Sequence, residues 1–137
     1  MIEIVDDEYK VDKAFYLDKL QEVVKELKIS GEIVIKLGGK EESQALNAQY
    51  RKKDYPTDVL SFPMEEELPD GFYLGDIFIC YPIAREQAQE GGITIEQELL
   101  TLMLHGIIHL AGFDHETDSG EMLKLQEQLL ERLRAGT

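Results

Sequence analysis

All three histidines of this chain, His105, His109 and His115, fall within eleven residues of its sequence. On a helix, His105 and His109 are separated by about 40° around the axis and one turn along it. Their imidazoles then point the same way, at a separation that suits two ligands of one small cation. Gly112 follows His109 by three residues, where a helix can end on a left-handed residue. The turn it permits can bring His115 back toward the first two rings. Three neutral imidazoles leave the fourth position of a tetrahedral ion open, as in catalytic rather than structural zinc sites. Histidines four apart also occur in ordinary helices, but that alternative leaves the third ring unexplained.

Zinc proteases of the H-E-x-x-H type carry a glutamate directly after the first histidine as general base. Here that position is Gly106. Catalysis at such a site needs its proton transfer from another source: metal-bound water, the substrate, or a distant residue. Zinc lowers the pKa of its water to about 7, so a carboxylate base is not strictly required.

The histidine pair needs a rigid carrier. Thr94 and Gln97 form a capping-box pattern, and the helix they start is apolar nearly all round through Leu99, Leu100, Leu102, Met103, Leu104, Ile107, Ile108 and Leu110, which predicts a buried helix. Upstream, Ile2, Ile4 and Val5 fit a short strand. Asp12 is placed to cap a helix with Tyr16, Leu20, Val23, Val24 and Leu27 on its core side, at helical spacing. Glu32 to Leu37 alternates as a strand, and a short helix from about Glu41 to Tyr50 is expected to bury Ala45 and Leu46. A polar loop with the basic run Arg51-Lys52-Lys53 leads to the strand Val59 to Pro63. The acidic stretch Met64 to Phe72, with Pro69 and Gly71, reads as a mobile excursion. Leu74 to Tyr81 reads as a central strand interrupted by Asp76, either a hydrogen-bonded structural carboxylate or a partner of the metal ligands. Pro82 suits the first turn of a helix that Gly91 and Gly92 end. A last helix, capped by Asp118, carries Met122, Leu125, Leu129 and Leu133 on its apolar side. The expected fold is α+β, a single domain over residues 1–137 with a small mixed sheet of about four strands and about five helices. The metal site sits on the buried helix and the turn after it.

Composition bounds the function. A chain of 137 residues supports one core. No apolar run is long enough to span a membrane, and the acidic amino terminus does not read as a secretory signal. With a single cysteine, Cys80, read as a buried inert thiol, these features point to the cytoplasm. A net charge of −14 opposes broad nucleic-acid binding through an overall positive field. It leaves room for a local cationic groove, because screening confines exposed charges to about 8 Å at physiological salt. There is no glycine-rich phosphate loop, hence no nucleotide cofactor is expected.

Three stretches together carry a resemblance: His105-Gly106-x-x-His109-Leu110-x-Gly112-Phe113-Asp114-His115; Leu46-Asn47-x-x-Tyr50-Arg51 leading to Thr57-Asp58-Val59-Leu60-Ser61-Phe62-Pro63; and Leu74-Gly75-Asp76-Ile77. In order and spacing they resemble the YbeY family, bacterial metal-dependent endoribonucleases of ribosomal RNA maturation. The resemblance implies one Zn2+ on His105, His109 and His115, although three imidazoles also suit other divalent transition metals. It implies catalytic roles for Arg51 and His105, with Arg51, Lys52 and Ser61 contacting substrate. Single-stranded ribosomal RNA, small-subunit maturation and ribosome quality control, with the ribosome or its small subunit as partner, are implied in the same way. RNA brings its own 2′-hydroxyl beside each phosphate, so a cation and an arginine could stabilise the transition state without a protein carboxylate. Two other readings remain open: a metallohydrolase of peptides or esters, and a ribosome-associated binding module with structural zinc.

Overall fold

The computed structural model describes residues 1–112 and 121–135. The elements run β1 (Ile2–Val5), α1 (Lys13–Glu26), β2 (Glu32–Gly38), α2 (Lys40–Arg51), β3 (Val59–Leu68), β4 (Gly71–Cys80), α3 (Tyr81–Gly91), α4 (Ile95–Leu110) and α5 (Glu121–Ala135). The four strands form one mixed sheet in the order β1-β2-β4-β3. β1, β2 and β4 are parallel, and β3 is the antiparallel edge. The α+β expectation of four strands and five helices in a single small domain is met.

Strand alternation divides the core. Ile2 and Ile4 of β1, Ile33, Ile35 and Leu37 of β2, and Ile77 and Ile79 of β4 are buried in one cluster with Tyr16 and Leu20 of α1 and Leu99, Leu100, Met103 and Ile107 of α4. The opposite face buries Leu60, Phe78 and Cys80 beneath Leu46 of α2 and Ile83 of α3. α5 adds Leu129, Leu130 and Leu133, packed on Val23, Leu104 and Ile108. α4 is thus enclosed between sheet and helices, as its all-round apolarity predicts. Its capping box forms in full, with Thr94 Oγ1 accepting from Gln97 N–H and Gln97 Oε1 accepting from Thr94 N–H. Asp12 caps α1 by accepting from Phe15 N–H.

Two local expectations are corrected. The acidic stretch after Pro63 is paired structure: β3 continues to Leu68, turns through Pro69 and Asp70, and returns as β4 from Gly71. Glutamates and a proline are poor strand formers, yet an edge strand tolerates both because one side faces solvent. A register shift between Pro63 and Glu66 absorbs the irregularity. On α2, the buried residues are Ser43 and Asn47, whereas Ala45 is exposed and Leu46 half-buried. Buried polar groups need partners, and these two find theirs in the next loop. The Asp118 cap, and the side chains of Met122 and Leu125, lie outside the described residues.

Candidate active-site groove

α4 delivers His105 half-buried and His109 exposed, one turn apart. Their rings lie nearly parallel, 16° between planes and 6.4 Å between centroids. His105 Nδ1 lies 3.1 Å from Gln126 Oε1 of α5. This hydrogen bond from the ring's Nδ1 side fixes the orientation of the imidazole on α4. This pairing fits the chemistry of two imidazole ligands of one metal. Among the described residues, no group of three His, Cys, Asp or Glu assembles around an ion; the expected third ligand, His115, lies outside them. α4 ends at Leu110 with Ala111 as its cap, and Gly112 follows with φ +91° and its N–H bonded to His109 C=O at 3.1 Å. That is the turn glycine makes cheaply.

Gly106 has a packing reason. A Cβ there would meet Ile77 Cδ1, Cγ2 and Cγ1 at 2.8, 2.9 and 3.0 Å. The position following the first histidine is pressed against β4, so a glutamate placed there would point into the core.

A groove of about 980 Å3 joins the pair to the far side of β3. On the α4 side it is lined by Ser61, Ile77, His105 and His109, and beyond the edge strand by Tyr50, Arg51, Phe62, Tyr73 and Asp76. Register fixes these sides. Ser61 is paired with Ile77, which touches α4, whereas Phe62 is paired with Asp76 and shares the opposite face. Arg51 and Ser61 are therefore brought to the histidines' groove. Lys52 is exposed at the end of α2 with φ +56° and is not among the groove-lining residues.

Arg51 is positioned by contacts that periodicity does not reveal. Ser43 Oγ donates to Thr57 C=O at 2.8 Å and accepts from Thr57 N–H at 2.9 Å. Asn47 Nδ2 donates to Tyr55 C=O at 2.8 Å, and Gln44 Nε2 to Asp54 Oδ1 at 2.9 Å. Side chains one turn apart thus clip the loop after Arg51 back onto the helix that carries it. Asn47 is quoted in the resembling motif, but its burial was missed. The signal for it is a polar residue on the α2 face that bears Leu46 and Tyr50.

The electrostatics of the groove are local. Lys36 is paired with Glu42 at 2.8 Å, and that carboxylate raises the ammonium's pKa. Arg51 makes no ion pair among the described residues. Asp76 accepts a short hydrogen bond from Tyr73 Oη. Burial, followed by that carboxylate, pushes the Tyr73 phenol up to about 12. Asp76 lies on the sheet face away from α4, where its carboxylate is engaged by Tyr73. No described helix is long and apolar enough to cross a membrane.

Comparison with known proteins agrees with this arrangement. Residues 1–134 match the family model "Endoribonuclease YbeY". A protein named endoribonuclease YbeY from Sulfurihydrogenibium sp. (strain YO3AOP1) is 40% identical over 129 residues, 90% of this chain and 85% of its own length. Another of that name, from Nautilia profundicola, is 40% identical over 130 residues, 95% of this chain and 91% of its own. The solution structure of TM1509 from Thermotoga maritima superposes with a TM-score of 0.72 at 35% identity, covering 99% of this chain and 91% of that one. With a match that runs through every element of the groove, the chain belongs to the endoribonuclease YbeY family.

Proposed function

We propose that this chain is a metal-dependent endoribonuclease that cuts single-stranded RNA, with zinc on His105, His109 and His115. Its place would be small-subunit ribosomal RNA maturation and ribosome quality control, in the cytoplasm with the ribosome as partner. The observation that carries the reading is one groove holding both the paired imidazoles and Arg51. Family membership supports it, since the relatives are named endoribonucleases.

Each residue has a physical role in this reading. A bound divalent cation supplies Lewis-acid stabilisation of charge developing on a phosphoryl oxygen. His105 is oriented by Gln126 through its Nδ1, which sets the plane in which the ring faces the groove. Arg51 offers a planar fork to two phosphate oxygens at once. Ser61, on the edge strand between them, contributes a hydroxyl donor to the same phosphate. Lys52, at the exposed helix end, adds attraction outside the groove. The protein need not supply a carboxylate at position 106, because the 2′-hydroxyl of RNA lies beside the phosphate to be cut.

Substituting single residues separates binding of metal from chemistry. His109→Ala should lose bound zinc and cleavage together. Arg51→Ala should keep zinc at the wild-type stoichiometry while cleavage of a single-stranded RNA falls by about 10² or more, the range for removing one charge-stabilising donor. Normal cleavage by Arg51→Ala, or full zinc retention by His109→Ala, would overturn the assignment.

A further inference from the structure

Beyond the edge strand, the groove carries next to Arg51 an aromatic surface that the metal pair and the guanidinium do not use. Tyr50 is 59% exposed. Its ring meets Phe62 edge-on at 5.0 Å between centroids and 63° between planes. Phe62 is paired with Asp76, and Asp76 with Val34, so all share this face of the sheet. The surface around these rings is aromatic and apolar, and its carboxylates, Asp76 and the Lys36-paired Glu42, do not attract phosphate. A neutral flat group is favoured there over an anion.

We propose that Tyr50 and Phe62 form a stacking subsite for one nucleobase of the RNA strand, next to the phosphate held by Arg51. The inference rests on the endoribonuclease reading and extends it. Tyr50 and Arg51 both line the groove, which puts a base contact and a phosphate contact within reach of one strand. Continuity of the groove around β3 gives one strand access to both halves.

The charge of the chain favours such a subsite. At −14, the overall field repels phosphates, so their capture falls to the cations at the groove itself. Of the two basic side chains lining the groove, Lys36 is paired with Glu42, which leaves Arg51 beside the metal ligands to meet the strand's phosphates. Affinity for single strands normally comes from basic residues tracking the backbone together with aromatic rings stacking on bases. When the first source is small, the second must dominate. A single phosphate contact gives a slope of about −0.7 in log affinity against log salt, or roughly a threefold loss between 50 and 200 mM.

The test is equilibrium binding of a labelled, uncleavable 2′-O-methyl single strand to wild-type protein, Tyr50→Ala and Tyr50→Phe, across that salt range. A matched series of probes carries one abasic position at a time, and chemical denaturation confirms that each variant is folded. Tyr50→Ala should weaken binding about tenfold, within the range for losing one base–aromatic stack, while Tyr50→Phe stays within about twofold of wild type. One abasic position should cost wild type the same factor and cost Tyr50→Ala nothing further. Equal affinities of Tyr50→Ala and wild type, or an abasic penalty undiminished in Tyr50→Ala, would overturn the subsite. Cleavage of the corresponding unmodified RNA is scored separately. If wild type binds but does not cut, the nuclease reading falls and the subsite is judged by the Tyr50 arm alone. If wild type binds no RNA, both fall.

Discussion

Replacing Gly106 by alanine sets two opposed terms against each other. Alanine is favoured over glycine in a helix interior by about 1 kcal/mol, and Gly106 lies well inside α4. Against this, the added methyl would sit 2.8–3.0 Å from three carbons of Ile77. Relief cannot come from a terminal methyl alone, because Cγ1 and Cγ2 are bonded to the Cβ and Ile77 is 1% exposed. The helix must move from the sheet or Ile77 must leave its rotamer. Overpacking costs about 1–3 kcal/mol, and three contacts to one buried side chain put this case in the upper half of that range, so the steric term should win with a net destabilisation of about 1–2 kcal/mol. For a chain of this size that lowers Tm by roughly 3–8 °C. Urea denaturation should show a lower midpoint with an unchanged m-value. Adding Ile77→Val removes Cδ1, and the penalty of Gly106→Ala should shrink in that background. A variant as stable as wild type, or more stable by the helix-propensity term, would refute the close-approach argument. The packing account of why no glutamate follows the first histidine would go with it.

Ser43→Ala removes both bonds to Thr57 and leaves that backbone N–H and C=O without their partner. It should cost about 1–3 kcal/mol in thermal or urea melts, and cleavage should fall with it because Arg51 loses its anchored loop. Undiminished stability would mean that the loop is held elsewhere. Asp6 is a pH-sensitive anchor. Burial opposes its charge, yet N–H groups of Val11, Tyr9 and Glu8 donate to its carboxylate and hold its pKa below the usual value. A depressed carboxylate pKa stabilises the fold above the unfolded pKa, and that stability is lost as pH falls through the folded one. The stability gap between wild type and Asp6→Asn should be flat above about pH 5 and close below about pH 4. A gap that widens with acidification would reverse the sign and the argument.

Much of this could be read from local sequence, where the signal is periodic or chemical. The Thr94–Gln97 capping box, the all-round apolar α4 and the four-residue spacing of His105 and His109 specify a buried helix carrying two rings on one side. The inward residues of β2 and β4 declared themselves through alternation and apolar continuity. What escaped depends on partners distant in the chain. Glu65 to Glu67 belong to a strand because β4 pairs with it, and no local preference of theirs says so. Ser43 and Asn47 look like surface residues of a polar helix until the loop at Tyr55 and Thr57 supplies their partners. The register that puts Asp76 on the face away from α4 arises only when the sheet is assembled. Arg51 and the histidines are 54 positions apart from Arg51 to His105, and it is the shared edge strand that brings them to one groove.

The central claim is that the groove performs metal-dependent chemistry on RNA. Its most direct test is a side-by-side assay of a defined single-stranded RNA and casein, with protein as purified, after chelation, and after zinc is restored. The account predicts RNA cleavage that disappears with the metal and returns with it, and intact casein throughout. RNA cleavage that persists once the metal is gone, or casein cut by the zinc-loaded protein, would contradict it.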